Sequence, residues 1–563
     1  MHPSLFALVA SLVSAEPAGP ADPRKEILSS LTAQLTSAQK LKLNADQSPY
    51  FVSYQLKDFD QREISARYGA IFEDATGRQR QLAADVRVGS YAFDSSIGDD
   101  LDFSFSTKGT SYVSRKMAPL DDEANDALKT ALWLITDEKY KAALFNFLKK
   151  RGDDVYTVED PKKSASFTKE IGRTYFVPHT EMAFDHERFV KLARAASYKL
   201  ASHEAFFDSE VRITADHIIR YFVNTEGAKI LSEEMLFGIH AQAFTRAPDG
   251  QLLENSRDWY APLQSQLPTD EQVFTGIEVL SKELIDLRLA PTIDPYTGPA
   301  ILESDAAGVL FHEAVGHRLE GERQENDTEG KTFRGQVGKP VLPVFLSIVD
   351  DPTVRERGGV QLNGFYAFDD EGVAAQKTVL VDKGVLKTFL LSRKPVEGFT
   401  QSNGHGRAQG TRKPVARMAN LILESTKTLS DAELKKQLIA EAKRQGKPYG
   451  LIIRDITGGN TNTTGFGYQA FKGTPRMVYR VDVRDGNESL VRGVEIVGTP
   501  LSSINRVMAT GKKEGVFNGF CGAESGMVPV STVAPAVLIQ EIELQRSQEG
   551  KDRPPLGKSP LFH

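Results

Sequence analysis

Between Arg24 and Leu41 the apolar residues Ile27, Leu28, Leu31 and Leu35 recur at helical spacing, which predicts an amphipathic helix. Tyr50–Leu56 is rich in β-formers. Glu63–Glu73 and Gln79–Val88 flank Asp74-Ala75-Thr76-Gly77, which has turn chemistry, and Leu82, Ala84, Val86 and Val88 alternate as on a half-buried strand. Leu128, Leu132 and Ile135 form one apolar stripe and Leu144, Phe147 and Leu148 another, so Asp121–Lys150 reads as helix in two pieces. Glu187–Ala205 is a further helix. Ile218–Val223 and Ala228–Leu231 read as strands joined at Asn224-Thr225-Glu226-Gly227, and Met235–Thr245 pairs with Gln251–Asn255 across Pro248-Asp249-Gly250. Thr269 and Gln272 make a capping box that opens a helix carrying Val273, Ile277, Leu280, Leu284 and Leu287 and stopping before Pro291.

Pro291–Pro299 holds three prolines and marks a domain boundary. Beyond it comes an apolar helical run, Ala307 to Glu322, with Ser304 or Asp305 as its cap. Then the pattern turns to strands: Val341–Val349, Thr378–Val381, Val385–Leu391, Leu451–Ile456, Met477–Val483, Ser489–Val497 and Val537–Leu544. Ser430–Arg444 is the one long helix pattern there, opened by a capping box of Ser430 and Glu433, and Ile504–Ala509 reads as a short helix. The expected class is α+β, with an N-terminal antiparallel sheet and several helices. A mostly antiparallel, barrel- or sandwich-like C-terminal domain carries the Ala307–Glu322 helix at its start. The expected organisation is a signal peptide and linker at 1–23, an N-terminal domain at 24–290, a C-terminal domain at 291–545 and a tail at 546–563.

Composition adds limits. The chain has 563 residues, 40% hydrophobic and 26% charged, with a net charge of −6, which suits sizeable cores and shows no nucleic-acid footprint. No stretch reaches the roughly 18 apolar residues that a membrane span needs. Leu5–Val13 is apolar, Val13-Ser14-Ala15 offers small residues at a cleavage point, and Glu16–Pro23 reads as a linker, so the start resembles a signal peptide, although its n-region has only His2. An exported protein would be periplasmic or secreted; without the signal it would be cytoplasmic. With a single cysteine, Cys521, no disulfide can form within the chain.

The chemistry concentrates in His312-Glu313-Ala314-Val315-Gly316-His317. Neutral imidazole is the commonest zinc ligand, and a glutamate beside a ligating histidine can serve as the base for a metal-bound water. The better-known zinc-peptidase helix places its histidines at i and i+4. Here they stand at i and i+5, which on a straight helix leaves them about 140° apart. One metal could not reach both, so the spacing predicts a π-bulge or a broken turn, for which Gly316 is a fitting place. The plain alternative is two ordinary helix histidines. Sequence counting alone favours an abundant carboxylate as the third ligand, with Cys521 the alternative.

Several segments together resemble the TldD/PmbA family of metallopeptidases. The His312-to-His317 spacing is that family's. Asp369-Asp370-Glu371-Gly372, Asn403-Gly404-His405-Gly406-Arg407 with Arg417-Met418-Ala419-Asn420, Gly458-Gly459 and Cys521-Gly522 are similar to its further blocks, across most of Ile301–Leu544. The resemblance implies zinc held by His312, His317 and Cys521, with Glu313 as catalytic base, in an enzyme that cleaves flexible or unfolded polypeptides as a homodimer or as a heterodimer with a family member. Cys521 is the only cysteine, and the glycines around it allow close backbone approach. His405 and Arg407 are candidate substrate-binding residues in a Gly-rich loop, where plain turn chemistry is the alternative. Glu320 and Glu322 read either as carboxylates orienting an imidazole or as a solvated helix end. The runner-up function is a non-catalytic peptide-binding or assembly subunit of the same fold. A zinc oxidoreductase ranks behind it, because no dinucleotide fingerprint is present.

Overall fold

The computed structural model describes residues 22–43, 47–96, 116–121, 125–154, 164–325, 331–461, 471–498, 500–547 and 562. The signal-peptide segment and nearly all of the expected tail lie outside the described residues.

The N-terminal half is built on long strands. β1 (Pro49–Arg67), β2 (Ala70–Val88), β3 (Phe206–Asn224), β4 (Lys229–Arg246) and β5 (Leu252–Ala261) form a sheet in the order β2-β1-β3-β4-β5, antiparallel throughout, with the short Thr174–Phe176 lying parallel to β4. The β1–β2 turn falls at Tyr68-Gly69, both with positive φ (54° and 82°), rather than at Asp74–Gly77. Asp74–Gly77 is polar because that end of β2 is exposed, not because the chain reverses there.

Helices α1 (Pro23–Ala38), α2 (Asp126–Asp154), α3 (His186–Ala201) and α4 (Asp270–Leu289) cover this sheet. α2 is one helix rather than two pieces, because buried Tyr140 and Ala143 continue the apolar stripe from Ile135 to Phe147. Strand alternation assigns the faces. On β1, Val52, Tyr54 and Leu56 meet α1 and α2, while Ile64, of the same parity, meets α3 and α4. Both helix pairs therefore sit on one face, at opposite ends of the strands. The other parity of β1 turns to the C-terminal half: Gln55 donates to the Asp370 carbonyl at 3.2 Å and Lys57 to Asp370 Oδ1 at 2.7 Å. Arg393, 1% exposed, pairs with Glu226 at 2.8 Å across the same junction.

The C-terminal half begins with a strand, not with the motif helix. β6 (Tyr296–Leu302) leads into α5 (Ser304–Phe311), whose N-cap is Glu303 rather than Ser304 or Asp305. The sheet that follows is mixed. β7 (Leu346–Asp350) pairs antiparallel with β8 (Asn420–Ser425), which lies parallel to the 21-residue last strand. After α6 (Asp431–Arg444) come β9 (Tyr449–Thr461), β10 (Phe471–Asp482), β11 (Val494–Gly498), β12 (Val507–Ala523) and β13 (Gly526–Arg546). β6, β9, β10, β11 and β13 pair in a closed ring, β13 returning to β6. Alternate residues of the ring serve two helices. Leu302, Leu451, Ile453 and Val537 pack with α5, whereas Ile301, Ile452 and Leu538 pack with Leu434 and Leu438 of α6. Runs such as Leu451-Ile452-Ile453 are apolar on both faces for this reason.

Two further expectations give way here, and the paired glycines find their place. Ile504–Ala509 is not a helix: a short helix ends at Ile504 and β12 begins at Val507. Gly458-Gly459 lies within β9, and Gly459 pairs with Gly473. Ser489–Val497 is split at Arg492-Gly493 into two strands. Among the described residues no helix is long and apolar enough to cross a membrane.

Candidate metal centre

α5 is buried along its length and enters the core with Ala306, Ala307, Val309, Leu310 and Phe311. At His312 the backbone widens. His312–Gly316 is a π-helical turn, closed by the His317 N–H donating to the His312 carbonyl, and His317–Leu319 is a 3-10 turn. The i-to-i+5 spacing thus lands on an i-to-i+5 hydrogen bond, which stacks the two histidines one turn apart. Their rings meet edge to face at 5.1 Å and 88°. The guanidinium of Arg318 donates to the carbonyls of Glu313 (3.1 Å) and Ala314 (2.9 Å), which supplies partners where helical bonding is interrupted. Gly316 keeps ordinary right-handed geometry, with φ −53°, so it does not break the helix by its freedom. A Cβ there would overlap the Met418 sulfur, so close packing is what demands glycine.

Cys521 reaches this turn from β12, paired with Val528 of β13 two positions from the hairpin's end. It sits in a strand, not in a tight glycine loop. Its Sγ lies 3.2 Å from His312 Nε2 and 3.5 Å from His317 Nε2. All three residues are buried, and their ligand atoms lie within 4.8 Å of one another. A tetrahedral zinc with arms near 2.05 and 2.3 Å sets its nitrogen and sulfur donors about 3.5 Å apart, so the spacing and the N/N/S chemistry both fit zinc. Glu313 turns the same way, its Oε2 3.8 Å from His317 Nε2, and its side chain is 13% exposed.

A buried network backs these residues. Glu320 accepts from His317 Nδ1 at 3.2 Å and from Arg323 Nε at 2.6 Å, and Arg417 Nε stands 3.6 Å away. With Nδ1 held by Glu320, His317 Nε2 is turned towards the sulfur. Glu320 is 1% exposed, so of its two readings the solvated helix end is excluded. Glu322 is half-buried and accepts from Ser392 Oγ and from the Ala416 N–H. Arg417, fully buried, donates to the Cys521 carbonyl at 2.6 Å and to Ser525 Oγ and the Gly526 carbonyl, which fixes the hairpin end that carries the cysteine. Nothing in the local sequence around Arg417 signals this part. Glu320, three residues after His317 and so on its helical face, did give a signal.

Charge is arranged accordingly. Burial disfavours an imidazolium at His317, but Glu320 and the Cys521 sulfur beside it hold its pKa well above the usual 6.5. Burial likewise works against a thiolate, yet the two imidazoles keep the Cys521 thiol well below its usual range. Burial opposes ionisation of Glu320, and His317, Arg323 and Arg417 overcome it, bringing its pKa to about 2.

His405 and Arg407 have other duties. The His405 ring is wholly buried between Asn403 and Asp350, the latter at 3.2 Å from Nε2. Asp350 in turn accepts from the Ala419 and Asn420 N–H groups at the start of β8. Arg407 donates to the carbonyls of Met418 (2.6 Å) and Pro529 (2.8 Å). Both brace framework rather than face a substrate, because every strong donor of theirs named here is spent on buried backbone or on Asp350.

Comparison with known proteins places the chain among similar sequences and folds. Residues 295–546 match the family described as the PmbA/TldA metallopeptidase C-terminal domain. A metalloprotease of Archaeoglobus fulgidus is 32% identical over 273 residues, 48% of this chain and 57% of that protein. A zinc metalloprotease TldD homolog of Saccharolobus solfataricus is 26% identical over 267 residues, 47% of this chain and 55% of that protein. The chain thus spans little more than half the length of these two relatives. The crystal structure of TldE from Thermococcus kodakarensis superposes with a TM-score of 0.60 at 14% identity, covering 92% of this chain and all of the other, a likeness of fold.

Proposed function

We propose, from the premise that this chain belongs to the TldD/PmbA family, that it is a zinc-dependent peptidase acting on flexible or unfolded polypeptides. The observation that carries this reading is the convergence of His312, His317 and Cys521 with Glu313 beside them. Zinc, when held by His312, His317 and Cys521, would supply Lewis-acid polarisation of the scissile carbonyl and acidify the attacking water. Glu313 is the proton acceptor for the attacking water and returns the proton to the leaving amine, a role that suits a carboxylate at the edge of the donor set. Glu320 orients His317, and Arg417 holds the Cys521 backbone. A catalytically silent binder would need neither a base nor an oriented imidazole, which ranks that alternative second.

The substrate class rests on a sheet edge. Along Glu514–Ala523, β12 pairs only with β13 among the described residues, and Cys521 lies in that stretch. An extended peptide adding to this edge by main-chain hydrogen bonds would pass beside the donor set. A segment without secondary structure can offer such a strand with no prior unfolding, which favours unstructured chains.

The test is hydrolysis of unstructured peptides, with and without a chelator, by the wild type and Glu313→Gln. Chelator-sensitive cleavage that vanishes in Glu313→Gln while zinc content stays the same is expected; unchanged turnover in that variant removes Glu313 from the reaction. The proposal extends to a dimer, of two copies or with a family member, and to export. A monomeric mass by light scattering at working concentration, or retention of an intact N-terminus in the cytoplasmic fraction, would overturn those two parts.

A further inference from the structure

We propose that His179, His217 and Glu233 form a second metal site, which takes a zinc-class divalent cation and staples the segment after Thr174–Phe176 to the N-terminal sheet. The proposal is independent of the peptidase reading. Sheet register sets two of the ligands. Ile219 pairs with Glu233 and His217 with Met235, so His217 and Glu233 are diagonal neighbours on the helix-bearing face. They lie at mid-strand, after Ile213 and Ala215, which pack with α3 and α4, and before Tyr221 and Val223, which pack with α1 and α2. The cluster therefore occupies the gap between the two helix pairs. His179 arrives from the loop beyond the sheet's parallel edge strand.

The donors converge. His179 Nδ1 lies 2.8 Å from Glu233 Oε1 and His217 Nε2 3.4 Å from Oε2, and one ligand atom from each residue falls within 4.8 Å of the others. The two rings stack at 5.9 Å and 21°. Each imidazole thus faces its own oxygen of the Glu233 carboxylate, an N/N/O donor set of the kind that zinc takes. Three protein ligands of imidazole and carboxylate leave a position for water, and imidazole selects zinc, copper or nickel over calcium and magnesium. His179, with 46% of its side chain exposed, gives the ion a way in, while the His217 and Glu233 side chains are 6% and 5% exposed and preset.

The remaining groups facing the site are Arg24, Asp22 and the Thr180 backbone. Thr180 N–H donates to Glu233 Oε2 at 3.0 Å. Arg24 also pairs with Glu233 Oε1, but its guanidinium is shared with the α1 cap Asp22 at 2.6 Å. Arg24 is thus the cation's competitor for Oε1.

The experiment is metal analysis of the full chain after gel filtration in metal-free buffer, followed by titration with zinc alone. The wild type should carry two zinc ions per chain, and His179→Ala and Cys521→Ala one each. Cobalt(II) substitution tells the two sites apart: a thiolate charge-transfer band belongs to the Cys521 site and persists in His179→Ala. Zinc should raise the Tm of the wild type more than that of His179→Ala, whose exposed position spares the fold. Arg24→Gln should tighten the second site at least tenfold. One ion per chain without a thiolate band, lost in His179→Ala, would keep this site and remove the other. A single ion with a thiolate band in both wild type and His179→Ala would overturn the proposal, as would a second ion whose affinity His179→Ala leaves unchanged.

Discussion

Glu320→Gln tests whether the metal centre depends on the residue behind it. Glutamine keeps the size and an acceptor oxygen but removes the charge facing His317, Arg323 and Arg417. The pKa of Glu320 falls from 4.5 to about 2, roughly 2.5 units. At 1.36 kcal/mol per unit this converts to roughly 3 kcal/mol of differential interaction, and the side chain, 2% exposed, is little screened by solvent. Because the folded-state pKa is depressed, the contribution is complete above about pH 4.5 and is lost as pH falls towards 2. The variant should therefore unfold at lower denaturant than the wild type at pH 7, with the gap narrowing below pH 4.5. With His317 no longer held in one tautomer, zinc affinity should weaken by about 10- to 100-fold. Competition with a chromophoric chelator at pH 7 measures the affinity, and urea titrations at pH 7, 4 and 3 measure the stability. Zinc affinity within twofold of wild type, or a stability gap that does not change with pH, would refute the orienting role.

Other outcomes follow from the same geometry. Glu313→Gln should lower turnover of unstructured peptides by about 10²- to 10⁴-fold with zinc content unchanged, by metal analysis beside a cleavage assay. Zinc loading should displace the proton that Glu320 and the Cys521 sulfur hold on His317, and calorimetry in buffers of different ionisation enthalpy reads that release. Since the His317 pKa is raised, the release should fade, and apparent affinity should level off, as pH climbs through it; a release that does not change with pH would refute this. Gly316→Ala should cost about 1–3 kcal/mol by overpacking against Met418, seen as a lower Tm, with partial recovery in Gly316→Ala/Met418→Ala.

How much of this was legible in the chain depends on distance along it. The capping boxes at Thr269 and Ser430 are written within four residues, and both helices start there. The π-turn was legible because only a widened turn lets residues five apart share a face, and His312 and His317 have that spacing. The long strands were seen as fragments, since 19- to 21-residue strands such as β1 and β13 outrun the usual length and cross from one packing environment to the next. The β1–β2 turn was misplaced because Tyr68-Gly69 lacks the usual asparagine or aspartate, while exposed Asp74–Gly77 imitates a turn. The glycines around Cys521 gave no sign of the strand in which they sit. The placing of Arg417 behind Cys521, 104 residues away, has no local cause at all and is visible only once β8 and β13 are aligned.

The pairing of β12 with β13 also sets an order of events. The two motif histidines are translated 209 and 204 positions before Cys521, and the strand bearing that cysteine is held in the sheet by one made later still. A nascent or prematurely stopped chain can fold its first sheet, since domains fold as they emerge, yet it lacks the sulfur, the strand that delivers it and the strand that packs with α5. On the proposed peptidase reading, completion of the donor set is thereby deferred until synthesis has passed β13.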